Sequence, residues 1–154
     1  MSSNTYLPEL AQAEAPLSDE ESGILRKQYS DEGDYVCVQT KFNYSWGSIK
    51  SSSNDDQQLG VRLLTEVFKD NPNRRRECSY YLSMGNFKSG DFTTARKYCD
   101  ILLSKEPRNA QAIRSRQMIE DRSAKEGLIG VAIIGGVVAV GATVLGVLMR
   151  HRRN

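Results

Sequence analysis

The sequence predicts an all-α protein: a six-helix bundle containing two tandem helix–turn–helix repeats, followed by one C-terminal transmembrane helix. Three observations predict it. Residues 42–72 align with 77–107 at an offset of 35. Amphipathic stretches with helix-start signals flank that pair on both sides. The 23 residues from Gly127 to Met149 contain no charge, and 16 of them are Ala, Val, Ile, Leu or Met. A chain of 154 residues otherwise has room for about one domain.

Charge narrows the function classes. The chain carries 21 Lys+Arg against 19 Asp+Glu, but three of the arginines lie in the last five residues. Residues 1–126 therefore hold 18 basic against 19 acidic groups, a net charge of −1. A nucleic-acid binder needs concentrated positive charge to displace counterions from phosphates, and this portion lacks it. Three cysteines and no N-terminal apolar signal argue against a secreted disulfide scaffold.

From the N-terminus, residues 1–16 are expected to form an arm. Pro8 and Pro16 bracket at most two helical turns, with Leu7 and Leu10 as the apolar residues able to make a contact. A helical domain is expected over 17–126. Ser18 and Glu21 have capping-box spacing at the start of its first helix, whose apolar stripe is Ile24, Leu25 and Tyr29 and which ends by Gly33. In the repeats, Trp46 pairs with Tyr81, Ile49 with Met84, Gly60 with Ala95, Leu64 with Cys99, Val67 with Leu102 and Pro72 with Pro107. A period near 34 is that of the tetratricopeptide repeat (TPR), a helix pair that stacks on its neighbours. Gly60 and Ala95 supply the small residue needed where paired helices cross, and the prolines end each unit. Two units cannot bury a continuous core alone. Residues 18–30 are expected to flank them on one side, and 109–126, with Ala112, Ile113, Met118 and Ile119, on the other.

The uncharged run at 127–149, with Leu128, Ile133, Val138, Val144 and Leu148 facing lipid, is about 34 Å long as a helix, enough to cross a hydrocarbon core of about 30 Å. The basic tip at 150–154 carries Arg150, Arg152 and Arg153. Moving a five-residue tip across a membrane is easier than moving a 126-residue domain without a leading signal, so topology outweighs the positive-inside tendency here. The expectation is a tail anchor with its helical domain in the cytosol. Six glycines make the anchor only moderately hydrophobic, which with the basic tip favours the outer mitochondrial membrane or peroxisomes. Small residues four apart, as in Ala132/Gly136 and Ala142/Gly146, would also let two anchors pack closely in a homodimer.

No catalytic set is recognisable. The only histidine, His151, lies in the tip, and Cys37, Cys78 and Cys99 lack metal-ligand spacing, so neither a metal nor another cofactor is expected. Arg74-Arg75-Arg76 reads as a solvated charge run or a contact for lipid or a partner. TPR units do offer a groove lined by the first helix of each unit. By register, the positions are Phe42, Ser45 and Ile49 from one unit and Glu77, Tyr80, Met84 and Phe87 from the next. The set is mostly apolar and aromatic, which suits the apolar face of a partner helix. Core packing is the competing role for the same residues, because a small bundle must bury most of its large apolar side chains.

Phe42 through Ser51, Arg74 through Leu82, the second repeat through Pro107 and the glycine–valine tail with its basic tip together resemble the mitochondrial fission 1 family, in a fungal form. The resemblance implies a non-enzymatic receptor on the outer mitochondrial and peroxisomal membranes. It implies recruitment of a dynamin-related GTPase through a WD-repeat adaptor, and groove positions at Glu77, Met84 and Phe87. It also implies an arm that can lie across the groove. A TPR-type import or chaperone-docking receptor, reading client peptides, is the alternative.

Overall fold

The computed structural model describes residues 15–127, and all their regular elements are helical. The helices are α1 (Asp19–Asp31), α2 (Val38–Lys50), α3 (Asn54–Asp70), α4 (Arg75–Lys88) and α5 (Phe92–Lys105), with a 3₁₀ turn at Pro72–Arg74. A sixth, α6, starts at residue 110. The chain divides after Ile119, and the described part of the second unit is helical to residue 127. Leu7 and Leu10 of the arm lie outside the described residues. So do Leu128, Ile133, Val138, Val144 and Leu148 of the anchor and Arg150, Arg152 and Arg153 of the tip. Among the described residues no helix is long and apolar enough to cross a membrane.

Helix starts follow local chemistry. Ser18 and Glu21 form the complete capping box: the Glu21 amide donates to Ser18 Oγ at 3.2 Å and the Ser18 amide to Glu21 Oε2 at 3.0 Å. The Ser18 amide and the Ser18 hydroxyl, both donating to Glu21 Oε2, hold the Glu21 carboxyl below its ordinary pKa. Ser53 caps α3 and Asp91 caps α5 by accepting the amides of Asp56 and Thr94. Cys37 takes that role for α2 through its sulfur, while Glu32 accepts from the Cys37 amide at 2.7 Å and the Thr40 hydroxyl at 2.5 Å. The turn into α5 needs a left-handed residue, and Gly90 supplies it at φ 81°.

The two repeats end alike. Asn71 and Glu106 each precede a proline, and their φ angles are −127° and −129°. Proline pushes its predecessor out of the helical region, so both second helices stop at the same repeat position. Each of these residues donates its amide back to the helix it ends, Asn71 to Val67 and Glu106 to Leu102. Leu64 with Cys99 and Val67 with Leu102 are all buried, as their pairing predicts. At Gly60 an added Cβ would lie 2.5 Å from the Ser45 carbonyl oxygen and 2.8 Å from the Ile49 nitrogen, so α2 and α3 meet there backbone to backbone. Ala95, at the matching position, is fully buried, and its carbonyl accepts from Ser83 Oγ at 2.9 Å.

Two flanking stripes differ from expectation. On α1, Leu25 packs against Gly47 and Tyr29 stacks on Tyr44 with ring centroids 4.5 Å apart, whereas Ile24 is 59% exposed. Leu25 and Tyr29 are four apart and share a face, while Ile24 sits about 100° away from Leu25 around the helix. On α6, Ala112 and Ile119 are buried, but Ile113 and Met118 are exposed for the same angular reason.

The three cysteines are free thiols. Cys78 and Cys99 are buried, and burial pushes their thiols up to about 12 and about 11. Cys37 is exposed. Because thiolate and access together set alkylation rates, one maleimide equivalent per chain should react within minutes on the folded protein. That label should map to Cys37 by mass spectrometry, and the other two thiols should react only in denaturant.

Candidate docking face

The first helices of the two repeats, α2 and α4, meet along a seam of side chains in which equivalent positions face each other. Gln39, Phe42 and Trp46 on α2 correspond, at the offset of 35, to Arg74, Glu77 and Tyr81 at and beyond the start of α4. Tyr81 is the hub. Its ring centroid is 4.2 Å from that of Trp46, 5.4 Å from Phe42 and 5.7 Å from Tyr80. Trp46 and Tyr81 are half-buried. Burial, with Glu77 nearby as a further contribution, raises the Tyr81 hydroxyl to about 12. Cations close both ends of the aromatic row: Lys50 lies over Trp46 and Arg74 over Phe42.

The expected groove residues divide. Glu77 is 30% exposed and accepts from Arg74 Nη1 at 3.0 Å. Phe42, Tyr80, Met84 and Phe87 are buried. Tyr80 and Met84 pack with Leu102 and Ala112, with Trp46 and Tyr81 against them, while Phe87 packs with Ala95, Cys99 and Ile119. Ser45 and Ile49 are fully buried and taken up by internal contacts. Ser45 Oγ donates to the Lys41 carbonyl, and Ile49 fills the space over Gly60 and Gly85. Gln39, Trp46, Arg74 and Tyr81 were missing from the expected groove. The signal for Trp46 and Tyr81 was present, since they are repeat partners of the same aromatic type.

Arg74-Arg75-Arg76 is not a solvated run, because each arginine is engaged. Arg74 reaches Glu77 and Gln39. Arg75 lies over Phe68 and donates to the carbonyls of Phe68 and Lys69. Arg76 grips Glu106, with one bond at 3.1 Å, and so ties the start of α4 to the end of α5. The Arg76 guanidinium holds the Glu106 carboxyl below its ordinary pKa. Lys88 donates to the carbonyls of Ile49 and Ser51, closing the end of α2. Among the described residues there is no group of three His, Cys, Asp or Glu side chains that could hold a metal ion. The seam thus presents half-buried aromatic area, the Glu77 carboxylate and the Arg74 guanidinium side by side.

Comparison with known proteins agrees with this geometry. Residues 39–71 match the family model of the Fis1 N-terminal tetratricopeptide repeat, and 76–128 that of the Fis1 C-terminal tetratricopeptide repeat. The chain is 57% identical over 154 residues to the mitochondrial fission 1 protein of Yarrowia lipolytica, covering 100% of both chains. A crystal structure of yeast Fis1 in complex with an Mdv1 fragment, containing its N-terminal extension and coiled-coil domains, superposes with a TM-score of 0.76 at 41% identity. It covers 79% of this chain and 97% of that one. Yeast Fis1 complexed with a Caf4 fragment gives 0.59 at 43% identity, covering 62% and 98%. Stacked repeats that share their end geometry and their small crossing residue, together with kinship along the whole length, have one explanation: the chain belongs to the mitochondrial fission 1 family.

Proposed function

We propose that this chain is a non-enzymatic receptor that recruits the organelle-division machinery to the outer mitochondrial membrane and to peroxisomes. A WD-repeat adaptor docks on the α2–α4 seam and brings a dynamin-related GTPase with it. The tail at 127–149 anchors the receptor and leaves the helical domain in the cytosol. The observation that carries the docking assignment is the half-buried Trp46–Tyr81 pair beside Glu77. Trp and Tyr are enriched among the few interface residues that carry most of the binding free energy. Tyr80 and Met84 back the seam by packing against Trp46 and Tyr81, Phe42 lies within it, and Ser45 and Ile49 fix the helix that carries it, while Phe87 packs in the neighbouring core with Ala95, Cys99 and Ile119. The yeast relatives seen with Mdv1 and Caf4 fragments support the adaptor class.

The test is binding of an adaptor fragment to the full chain in detergent micelles, by calorimetry. The adaptor should bind, unrelated apolar peptides should not compete, and Glu77→Ala should weaken binding by about tenfold without altering helical content. Equal binding of many apolar peptides would instead favour an import or chaperone-docking receptor.

A further inference from the structure

Arg74 belongs to none of the expected groove positions, yet it is the residue that joins the seam at its open end. Its guanidinium donates through Nη1 to Glu77 Oε2 at 3.0 Å and through Nη2 to Gln39 Oε1, and it lies 5.4 Å from the centroid of Phe42. Gln39 in turn donates to Asn43 Oδ1 at 2.8 Å. One planar group thus touches both first helices of the repeat pair. The fork is a property of arginine, since a lysine ammonium cannot hold two acceptors in one plane while covering a ring. Arg74 and Glu77 are each 30% exposed, so the clamp is at the surface where a partner arrives.

We infer that Arg74 is a positioning residue for docking: it fixes Glu77 through Oε2 and leaves Oε1 to accept a hydrogen bond from the partner. This rests on the docking reading of the seam given above. Arg74 already neutralises the carboxylate, so the matching donor is a neutral N–H or O–H, and a partner cation at that point would meet the guanidinium. Fixing the carboxylate before the partner arrives removes an ordering cost from association.

The experiment is a double-mutant cycle on the full-length chain in detergent micelles, with the yeast Mdv1 fragment of the solved complex as probe. Dissociation constants and thermal melts are measured for Arg74→Gln, Arg74→Lys, Glu77→Ala and the double variant Arg74→Gln/Glu77→Ala. Each of Arg74→Gln and Glu77→Ala should weaken binding about tenfold, and the double variant no more than about twofold beyond the worse single. Arg74→Lys should restore little of the loss, because it returns the charge without the fork. Multiplied losses in the double variant would overturn the inference. So would an Arg74→Gln protein that melts lower but binds like the wild type, which would make the clamp a fold contact only. A folded wild-type chain that ignores the fragment would remove the docking reading and this inference with it.

Discussion

Met84→Asp should strongly destabilise the helical domain, not simply block a partner. Met84 is 3% exposed and packs with Tyr80, Leu102 and Ala112, so its replacement removes a buried side chain from the contact of α4 with α5 and α6. Truncating a buried methionine costs about 2–5 kcal/mol by itself. A carboxylate in the same place is set among the apolar side chains of Tyr80, Leu102 and Ala112. It either carries its charge into an apolar site or takes up a proton at a raised pKa, and both routes cost further free energy. A total of about 5 kcal/mol or more compares with roughly 5–15 kcal/mol for a whole domain. The melting temperature should fall by about 20 °C or more, at roughly 4 °C per kcal/mol for a unit of this size. Met84→Leu keeps the volume and should cost less than about 1.5 kcal/mol. A Met84→Asp protein with the wild-type melt would show that the side chain is open surface. For the docking face this fixes the choice of variants: loss of binding at Met84 or Phe87 reports folding unless the melt is measured beside it, whereas Glu77 can be changed at the surface.

The fold was legible because each of its signals is local. Ser18 and Glu21 announce a helix start by chemistry that acts within three residues, and Pro72 and Pro107 fix the backbone of the residue just before them. Gly60 and Ala95 were legible through the repeat, since a second copy with a small residue at the same place marks a crossing. The proposed docking face was less legible, and the reason is angular. From Phe42, at about 100° per residue, Gln39 and Trp46 lie roughly 60° and 40° to one side, and Ser45 and Ile49 roughly 60° and 20° to the other. The Ser45 and Ile49 side packs on α3 at Gly60, with Ile49 also reaching Gly85 of α4, and the Gln39 and Trp46 side meets Arg74 and Tyr81. Spacing alone identifies the inward half of α2 but not which edge of it meets which neighbour. The same applies on α4, where Arg74 and Tyr81 lie to one side of Glu77, and Tyr80 and Met84 to the other. Arg74 was hidden for another reason: within a run of three arginines, only the fold shows which guanidinium faces Gln39, which Phe68 and which Glu106.

Glycine substitutions at two helical positions should move stability in opposite directions. Gly60→Ala places a methyl 2.5 Å from the Ser45 carbonyl oxygen, 2.8 Å from the Ile49 nitrogen and 2.9 Å from Ile49 Cγ1. Two of those three atoms are backbone, so relief requires α2 and α3 to separate, and no rotamer change suffices. With two backbone atoms closer than 3 Å, the overpacking cost lies at the upper end of the usual range, about 3 kcal/mol, and the helix-propensity gain of alanine over glycine, about 1 kcal/mol, offsets only part of it. The net expectation is a loss of about 2 kcal/mol for alanine. Valine, which adds two further methyls at the same crossing, should leave no folded population. Gly23, in the middle of α1, has nothing within 4 Å of its would-be Cβ. Gly23→Ala should therefore keep the whole propensity gain and stabilise by about 0.5–1 kcal/mol. Urea melts of the two variants, run beside the wild type, decide the matter through their midpoints at constant slope. If Gly60→Ala matched Gly23→Ala in sign, the backbone contact between α2 and α3 would not exist. The repeat pairing of Gly60 with Ala95 would then have no steric basis. With the signs opposed, the crossing at Gly60 is what holds Ile49 and Ser45 in place and so sets the rotation of α2 that presents Trp46 to Tyr81. The proposed docking seam and the backbone contact at Gly60 are then two sides of one helix, and a residue with no side chain decides where the aromatic row can form.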